Sequence, residues 1–421
     1  MIRALYSWLA VATQPFLRDK LRRRGVAEPG YLHAVEERFG VYAAPAQPGA
    51  LWIHAVSLGE TRAAAILVER LRQLKPDLRV LLTHGTATGR AEGEQLLRPG
   101  DLQAWLPWDT PQAVRRFLNH FQPAVGVLME TEIWPNLVAQ CRERNIPVVM
   151  VNARLSERSL RTTRRLGLLS RPAYAALTAV WAQTESDAER LAQAGATVKG
   201  VFGNLKFDAA PDAAQLDQGA RWRRVAGKPV VMFASSREGE EDDFLRVLEA
   251  HHATDGRAHQ VQWLIVPRHP QRFEEVAELV ARRGFSLSRR SAWGATPAPA
   301  DVWVGDSLRE MAMYYALADL ALLGGSFAPL GGQNLIEAAA CGCPIIIGPH
   351  TFNFAEAAQL AQAAGAALRV ETMEAAVRTA VGLTGDLARL DSAKQSARNF
   401  TAAHHGAAEK TAHALLQIAQ R

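Results

Sequence analysis

From Leu51 onward, short apolar runs alternate with stretches whose apolar positions recur at helical spacing. The runs at 51–56, 79–84, 124–129, 147–152, 177–183 and 196–202 predict strands, and the patterns at 60–75, 111–120, 134–144 and 185–194 predict helices. Between Asn204 and Lys228 the rhythm breaks, at Asp208-Ala-Ala-Pro211-Asp212 followed by a polar helix, which reads as a linker. A second series follows, with strands at 229–234, 261–266, 301–305, 318–323, 343–347 and 366–370. Near-continuous apolar strands separated by helices imply parallel sheets covered on both faces. Two such series predict an α/β chain of two doubly wound, Rossmann-like domains facing an interdomain cleft, with ligands beyond the carboxyl ends of the strands. The expected layout is an N-terminal helix at 1–24, a first domain at 25–206, a linker at 207–228 and a second domain with C-terminal helices at 229–421.

The segment Ala4 to Leu17 is apolar and holds Tyr6, Trp8 and Phe16. It is shorter than the roughly 20 residues that a helix needs to cross a bilayer. A basic run, Arg18 to Arg24, follows directly, and the pair supplies apolar insertion plus attraction to anionic lipid. The expectation is a membrane-associated helix; the alternative is an amphipathic helix packed on the protein's own surface. Ala10-Val11-Ala12 mimics a signal-peptide cleavage site, but a dense basic cluster just beyond it opposes export. The net charge of +6 is local: residues 1–25 and 154–171 each carry +5, so the remainder is acidic. That distribution disfavours a nucleic-acid binder, which spreads basic and aromatic residues along one face. Cys141, Cys341 and Cys343 form no CxxC pair and sit in apolar surroundings, as packed reduced thiols do.

Candidate chemistry gathers at predicted strand ends. In the stretch Gly324 to Pro349, Gly331-Gly332-Gln333-Asn334 opens an expected helix at 332–342 between two buried strands. Adjacent glycines and free helix amides favour a phosphate, and Glu337 one turn on suits a ribose diol; an ordinary glycine turn is the alternative. Elsewhere the strand ends carry His54 with Ser57-Leu58-Gly59-Glu60, Glu130-Thr131-Glu132, Asn152-Ala153-Arg154, Gly203-Asn204-Leu205-Lys206, Ser235-Ser236-Arg237-Glu238-Gly239-Glu240, and Arg268-His269. Glu60 is either a catalytic carboxylate or simply first-turn helix charge, and Glu240 to Asp243 reads as helix N-terminal charge, with a metal site as the minority reading. His54 alone fits a hydrogen-bonded core histidine. The chain has no GxxxxGK, GxGxxG, HExxH or GxSxG motif in the required context, which excludes P-loop, dehydrogenase, zinc-peptidase and α/β-hydrolase chemistry.

Taken in order, His54-Ala-Val-Ser57-Leu-Gly59-Glu60, Glu130-Thr-Glu132-Ile-Trp134-Pro135-Asn136, Asn152-Ala-Arg154-Leu-Ser156, Gly203-Asn204-Leu-Lys206, Val266-Pro267-Arg268-His269-Pro270 and Gly348-Pro349-His350-Thr351-Phe352-Asn353-Phe354 resemble the 3-deoxy-D-manno-octulosonic acid (Kdo) transferases of lipopolysaccharide assembly. The resemblance implies a GT-B glycosyltransferase fold, a CMP-Kdo donor, a lipid A precursor as acceptor, and inversion at the anomeric carbon without a metal. It also implies attachment to the cytoplasmic face of the inner membrane, and Glu60 as general base. With that reaction, the expected catalytic pair is Glu60 and Glu130. Donor contacts fall to Lys206, Ser235, Arg237, Arg268, His269, Gly332, Gln333, Asn334 and Glu337, and acceptor contacts to Ser57, Gly59, Glu132, Arg154 and Arg158. No metal and no cofactor beyond the donor substrate is expected, and the partners are CMP-Kdo, a phosphorylated lipid and an anionic membrane surface, with no nucleic acid. Two positions depart from the family pattern: Gln333 where GGHN is common, and Arg309 where a glycine is usual. Another GT-B nucleotide-sugar transferase or epimerase, or a non-catalytic nucleotide-sensing membrane adaptor, remains an open alternative.

Overall fold

A computed structural model describes residues 2–43, 45–254 and 260–420. The chain divides into two compact units, Met1–Asp208 with His405–Arg421, and Ala209–His404.

In the first unit the strands are β1 (Leu51–His54), β2 (Val80–His84), β3 (Leu102–Trp105), β4 (Val125–Met129), β5 (Val148–Ala153), β6 (Ala179–Ala182) and β7 (Val198–Val201). They form one parallel sheet in the order 3-2-1-4-5-6-7. The helices are α1 (Ile2–Ala12), α2 (Gln14–Ala27), α3 (Leu58–Leu74), α4 (Ala87–Glu94), α5 (Pro111–Phe121), α6 (Pro135–Glu143), α7 (Glu157–Arg165), α8 (Gly167–Ala175) and α9 (Glu185–Ala194). Alternate residues of one strand serve opposite faces: Trp52, Leu128 and Met150 pack beneath α5 and α6, whereas Ile53, Val127 and Val149 pack beneath α3. This two-sided burial is why the central strands read as continuous apolar runs.

The second unit repeats the plan. Its strands are β8 (Val230–Ser236), β9 (Gln262–Pro267), β10 (Leu287–Arg289), β11 (Val302–Val304), β12 (Leu320–Leu323), β13 (Ile345–Ile347) and β14 (Ala367–Arg369), in a parallel sheet ordered 10-11-9-8-12-13-14. Its helices are α10 (Ala213–Val225), α11 (Glu240–Thr254), α12 (Phe273–Arg282), α13 (Met311–Leu317), α14 (Leu335–Ala340), α15 (Ala355–Ala363), α16 (Met373–Thr384) and α17 (Leu387–Ala403); α18 (Ala407–Ala419) lies in the first unit. Strand order reverses between β1 and β4 and again between β8 and β12, and at such switch points a doubly wound sheet opens a crevice for ligands.

Several expectations need correction. β3 and β10 were not anticipated. Residues 405–421 belong to the first unit, not to the second domain: Ala407, Ala408, Ala412 and Leu415 of α18 pack with Leu67 and Leu71 of α3, and the Asp208 carboxylate accepts the Gly406 and Ala408 amides at 2.6 Å each. The polar helix α10 is not a free linker. Gly219 lies so close to α13 that a Cβ would stand 2.2 Å from the Met313 carbonyl oxygen, and Trp222 packs edge-on to Trp293 while donating to the Ala295 carbonyl. At the N-terminus the expected helix at 1–24 is two helices with different surroundings. No residue of α1 is buried, whereas α2 buries Leu21 and Gly25, pairs Arg18 with Glu36 at 2.6 Å and stacks the same guanidinium over Phe39. Arg18, and Arg24 over the Tyr31 ring, therefore serve the protein's own surface, whereas Lys20, Arg22 and Arg23 are exposed.

Candidate active site

At the β1/β4 switch point, β1 leads into Ser57, which caps α3 from an extended backbone conformation. The Ser57 hydroxyl accepts the Glu60 amide at 3.4 Å and donates to Glu60 Oε1 at 3.1 Å, while the Val56 amide donates to Glu60 Oε2 at 2.9 Å. This reciprocal capping arrangement fixes the carboxylate in one place. Glu60 is thus both a helix-capping residue and a positioned carboxylate. Burial pushes its carboxyl up to about 7; the Val56 and Ser57 hydrogen bonds oppose the shift, and the charges of Glu130 and Glu132 add to it. Gly59 is exposed in the same turn.

Glu130 follows β4 in the left-handed region, with φ 55°, a conformation that costs a non-glycine residue energy and recurs at ligand sites. Its buried carboxylate meets Lys206 Nζ at 3.3 Å and Arg154 Nε at 3.4 Å. Lys206, expected at the donor phosphate, therefore lies in the first unit, alongside the acceptor candidate Arg154. Burial raises the Glu132 carboxyl above its ordinary value. Arg158 stands exposed on α7. His54 is fully buried, faces the Thr83 carbonyl and hydroxyl through Nδ1, and is pushed by burial down to about 3, so it is a neutral core histidine.

At the β8/β12 switch point, Ser235 adopts φ 53° and Arg237 follows. His269 is lowered by burial first and then by Arg237 and Arg268, with Arg272 adding a smaller push, so several cations converge on this strand end. The buried Tyr315 hydroxyl feels both Glu337 and Arg268, which places those two donor candidates in one neighbourhood. The glycine-rich loop differs from expectation. Helix α14 begins at Leu335, capped by the Asn334 side chain on the Ile336 amide, and Gly332 gives its amide to the Gly325 carbonyl at 2.7 Å. Gly331 and Gly332 hold φ of 89° and 76°, so their glycines make a left-handed turn. That turn is stapled by Asn353, whose amide donates to the Gly331 carbonyl. Gln333 is half-buried beside it.

The sequence profile described as 3-Deoxy-D-manno-octulosonic-acid transferase (kdotransferase) matches residues 33–209. A 3-deoxy-D-manno-octulosonic acid transferase of Bordetella pertussis is 51% identical over 371 residues, covering 87% of this chain and 86% of the relative. The chain belongs to the Kdo transferase family. A Haemophilus influenzae protein of the same description is 33% identical over 387 residues, covering 90% of each chain. Among solved structures, a UDP-GlcNAc 2-epimerase from Neisseria meningitidis superposes with a TM-score of 0.58 at 16% identity, covering 87% of this chain and all of that one. A glycosyltransferase from Rickettsia africae ESF-5 gives 0.55 at 13% identity, covering 88% and 99%. The fold of this Kdo transferase family member is of the GT-B type.

Two residues of this family member, named at strand ends but given no role there, organise the site. Glu240, read from sequence as helix charge, is buried and accepts four backbone amides: Arg237 at 3.0 Å, Gly325 at 2.7 Å, and Phe327 and Ala328 at 3.1 Å each. It ties the Arg237 turn to the glycine-rich loop. Asn152, at φ 51°, accepts the Leu205 amide at 3.0 Å and so sets the loop that aims Lys206 at Glu130. A signal for both existed in their position, immediately at or beyond a strand's carboxyl end. Arg309 sits at φ 64°, which accounts for the glycine usual there.

Proposed function

We propose that this protein transfers Kdo from CMP-Kdo to a phosphorylated lipid A precursor, lipid IVA, in lipopolysaccharide core assembly, with inversion at the anomeric carbon and without a metal ion. The observation that carries the reading is Glu60: a carboxyl clamped by Val56 and Ser57 at a switch point, with a pKa pushed up to about 7. A sugar hydroxyl needs a base matched to neutral pH, and a carboxyl near 7 is both ionised enough and basic enough. In the proposed step Glu60 takes the acceptor hydroxyl proton as the oxygen attacks the anomeric carbon. The bond from that carbon to the CMP phosphate breaks, and the electron pair leaves with CMP. Arg237 and Arg268 meet the charge that builds on the leaving phosphate, and Glu337 suits the ribose hydroxyls. Glu130, held by Lys206 and Arg154, keeps those cations near the acceptor side and raises the basicity of Glu60. Ser57, Gly59, Glu132, Arg154 and Arg158 are assigned to the acceptor, whose phosphates suit the arginines.

Among the described residues, no helix is long and apolar enough to cross a membrane. We assign attachment to α1, whose Ile2, Leu5, Trp8, Leu9 and Val11 are exposed, at the cytoplasmic face of the inner membrane. The test is Glu60→Gln in the purified enzyme with CMP-Kdo and lipid IVA, read by mass spectrometry. Transfer is expected to fall at least a hundredfold with CMP affinity kept. Turnover within a few-fold of wild type sinks the assignment of the base.

A further inference from the structure

Helix α1 stands on the first unit through three polar ties: the Tyr6 hydroxyl to Asp109, the Ser7 hydroxyl to Asn136 Oδ1 at 2.9 Å, and Arg3 to Glu143 at 3.1 Å. Beside these ties, between α1, α6 and α8, lies a cavity of about 430 Å³. Its walls are apolar, including Val138, Ala139, Leu169 and Ala176, and its charged residues are Arg3, Arg142 and Glu143. The volume lies in the usual range for a small-molecule site. Leu168, a wall residue on α8, is 78% exposed, so part of the apolar lining is left uncovered among the described residues.

Two connections say what fills the groove. Pro135, at the start of α6, is a wall residue and stands three positions after Glu132, whose charge reaches Glu60. The start of α6 therefore lies on the groove only three residues along the chain from Glu132. On the other side, α7 carries Arg158, Arg161, Arg164 and Arg165 and passes through Leu166 directly into α8, so a cationic surface leads to the apolar one. A ligand that presents phosphate to α7 and a hydrocarbon chain to the groove, with a sugar near Glu132, matches this order. We infer that the groove between α1, α6 and α8 seats one fatty-acyl chain of the phosphorylated lipid acceptor, an inference that rests on the acceptor reading above.

The test fills the groove. Ala139→Trp and, as an independent second variant, Ala176→Trp place an indole in the cavity while leaving every catalytic and donor residue in place. Calorimetric titrations without donor compare the acylated acceptor, dispersed in detergent, with the same phosphorylated disaccharide stripped of its chains. Affinity of either folded variant for the acylated acceptor should fall about tenfold or more, since excluding even two methylenes costs that much. Affinity for the stripped disaccharide should stay at the wild-type value. An unchanged affinity for the acylated acceptor overturns the proposal, as does an equal loss for both ligands. A loss of binding to anionic phospholipid vesicles, with acceptor affinity in detergent unchanged, assigns the groove to bilayer lipid and overturns it too. Wild-type turnover with CMP-Kdo reports separately on the transferase reading, because the groove is judged on binding alone.

Discussion

Glu240→Gln keeps the side-chain volume but removes the charge that four amides share. The carboxylate accepts Arg237 and Gly325 through one oxygen and Phe327 and Ala328 through the other. A carboxamide retains one oxygen and turns an NH2 group towards the remaining two donors, so two hydrogen bonds are lost and donor faces donor in a dry site. Hydrogen bonds to a charged acceptor are worth about 1.5–3 kcal/mol each, which sums to about 3–6 kcal/mol for two; shared geometry puts the expected loss near the lower end. In a unit of this size each kcal/mol moves the melting temperature by about 2–4 °C, so a fall of roughly 6–15 °C is expected. Scanning calorimetry of the full chain measures it, and titration with CMP should show affinity reduced at least about tenfold, because the Arg237 turn loses its tie to the glycine-rich loop. A melting shift below about 2 °C with unchanged CMP affinity refutes the claim that this carboxylate organises the loop.

The pH profile tests the position of Glu60. With its carboxyl at about 7, only about a tenth is ionised at pH 6, so kcat/KM should fall with unit slope below about pH 7; an inflexion near the ordinary value of 4.5 removes the burial argument. The raised pKa also means that the folded state prefers the protonated group, so this contribution to stability is present below 4.5 and lost as pH rises through about 7; Glu60→Gln should therefore melt above wild type at pH 8 and match it at pH 4. Removal of residues 2–12, leaving α2 intact, should abolish co-sedimentation with anionic liposomes while the protein stays folded, with a lower melting temperature for the lost Tyr6 and Ser7 ties; undiminished binding moves the membrane contact off α1. Arg309→Gly should raise the melting temperature by about 1–3 °C, since relief of a left-handed non-glycine residue outweighs glycine's added chain entropy; a fall shows that the exposed arginine makes a compensating contact.

The central strands were legible because both faces are buried, so β1, β4, β8 and β12 appear as unbroken apolar runs. The two strands that escaped notice are sheet edges. β3 begins with the half-exposed Leu102 and Gln103, and β10 is only Leu287-Ser288-Arg289, too short and too polar to stand out. Helix α10 carries Asp212 as its cap and a polar surface, which imitates a linker; its contact with α13 depends on the missing side chain of Gly219, a signal that emerges only once the partner is known. An apolar stripe on α18 announces that the helix packs, not against which sheet. At the site, the position of Glu60 in its helix turn was readable, and its elevated pKa was not, because burial is set by the surroundings of the whole turn. Glu240 was visible as an acidic helix start, but three of its four amide partners come from a loop some 85 residues further along.

The return of α18 to the first unit has a consequence for how the protein is made. The helix that bears Glu60 buries Leu67 and Leu71 against residues that leave the ribosome only after every residue of the second unit. Until then the nascent first unit presents an open apolar flank and lacks the two amides that satisfy Asp208. Translation therefore passes through an interval in which α3 has no backing, and a chain halted before residue 405 keeps that flank uncovered. Folding of the first unit is timed to the completion of the unit encoded in its middle.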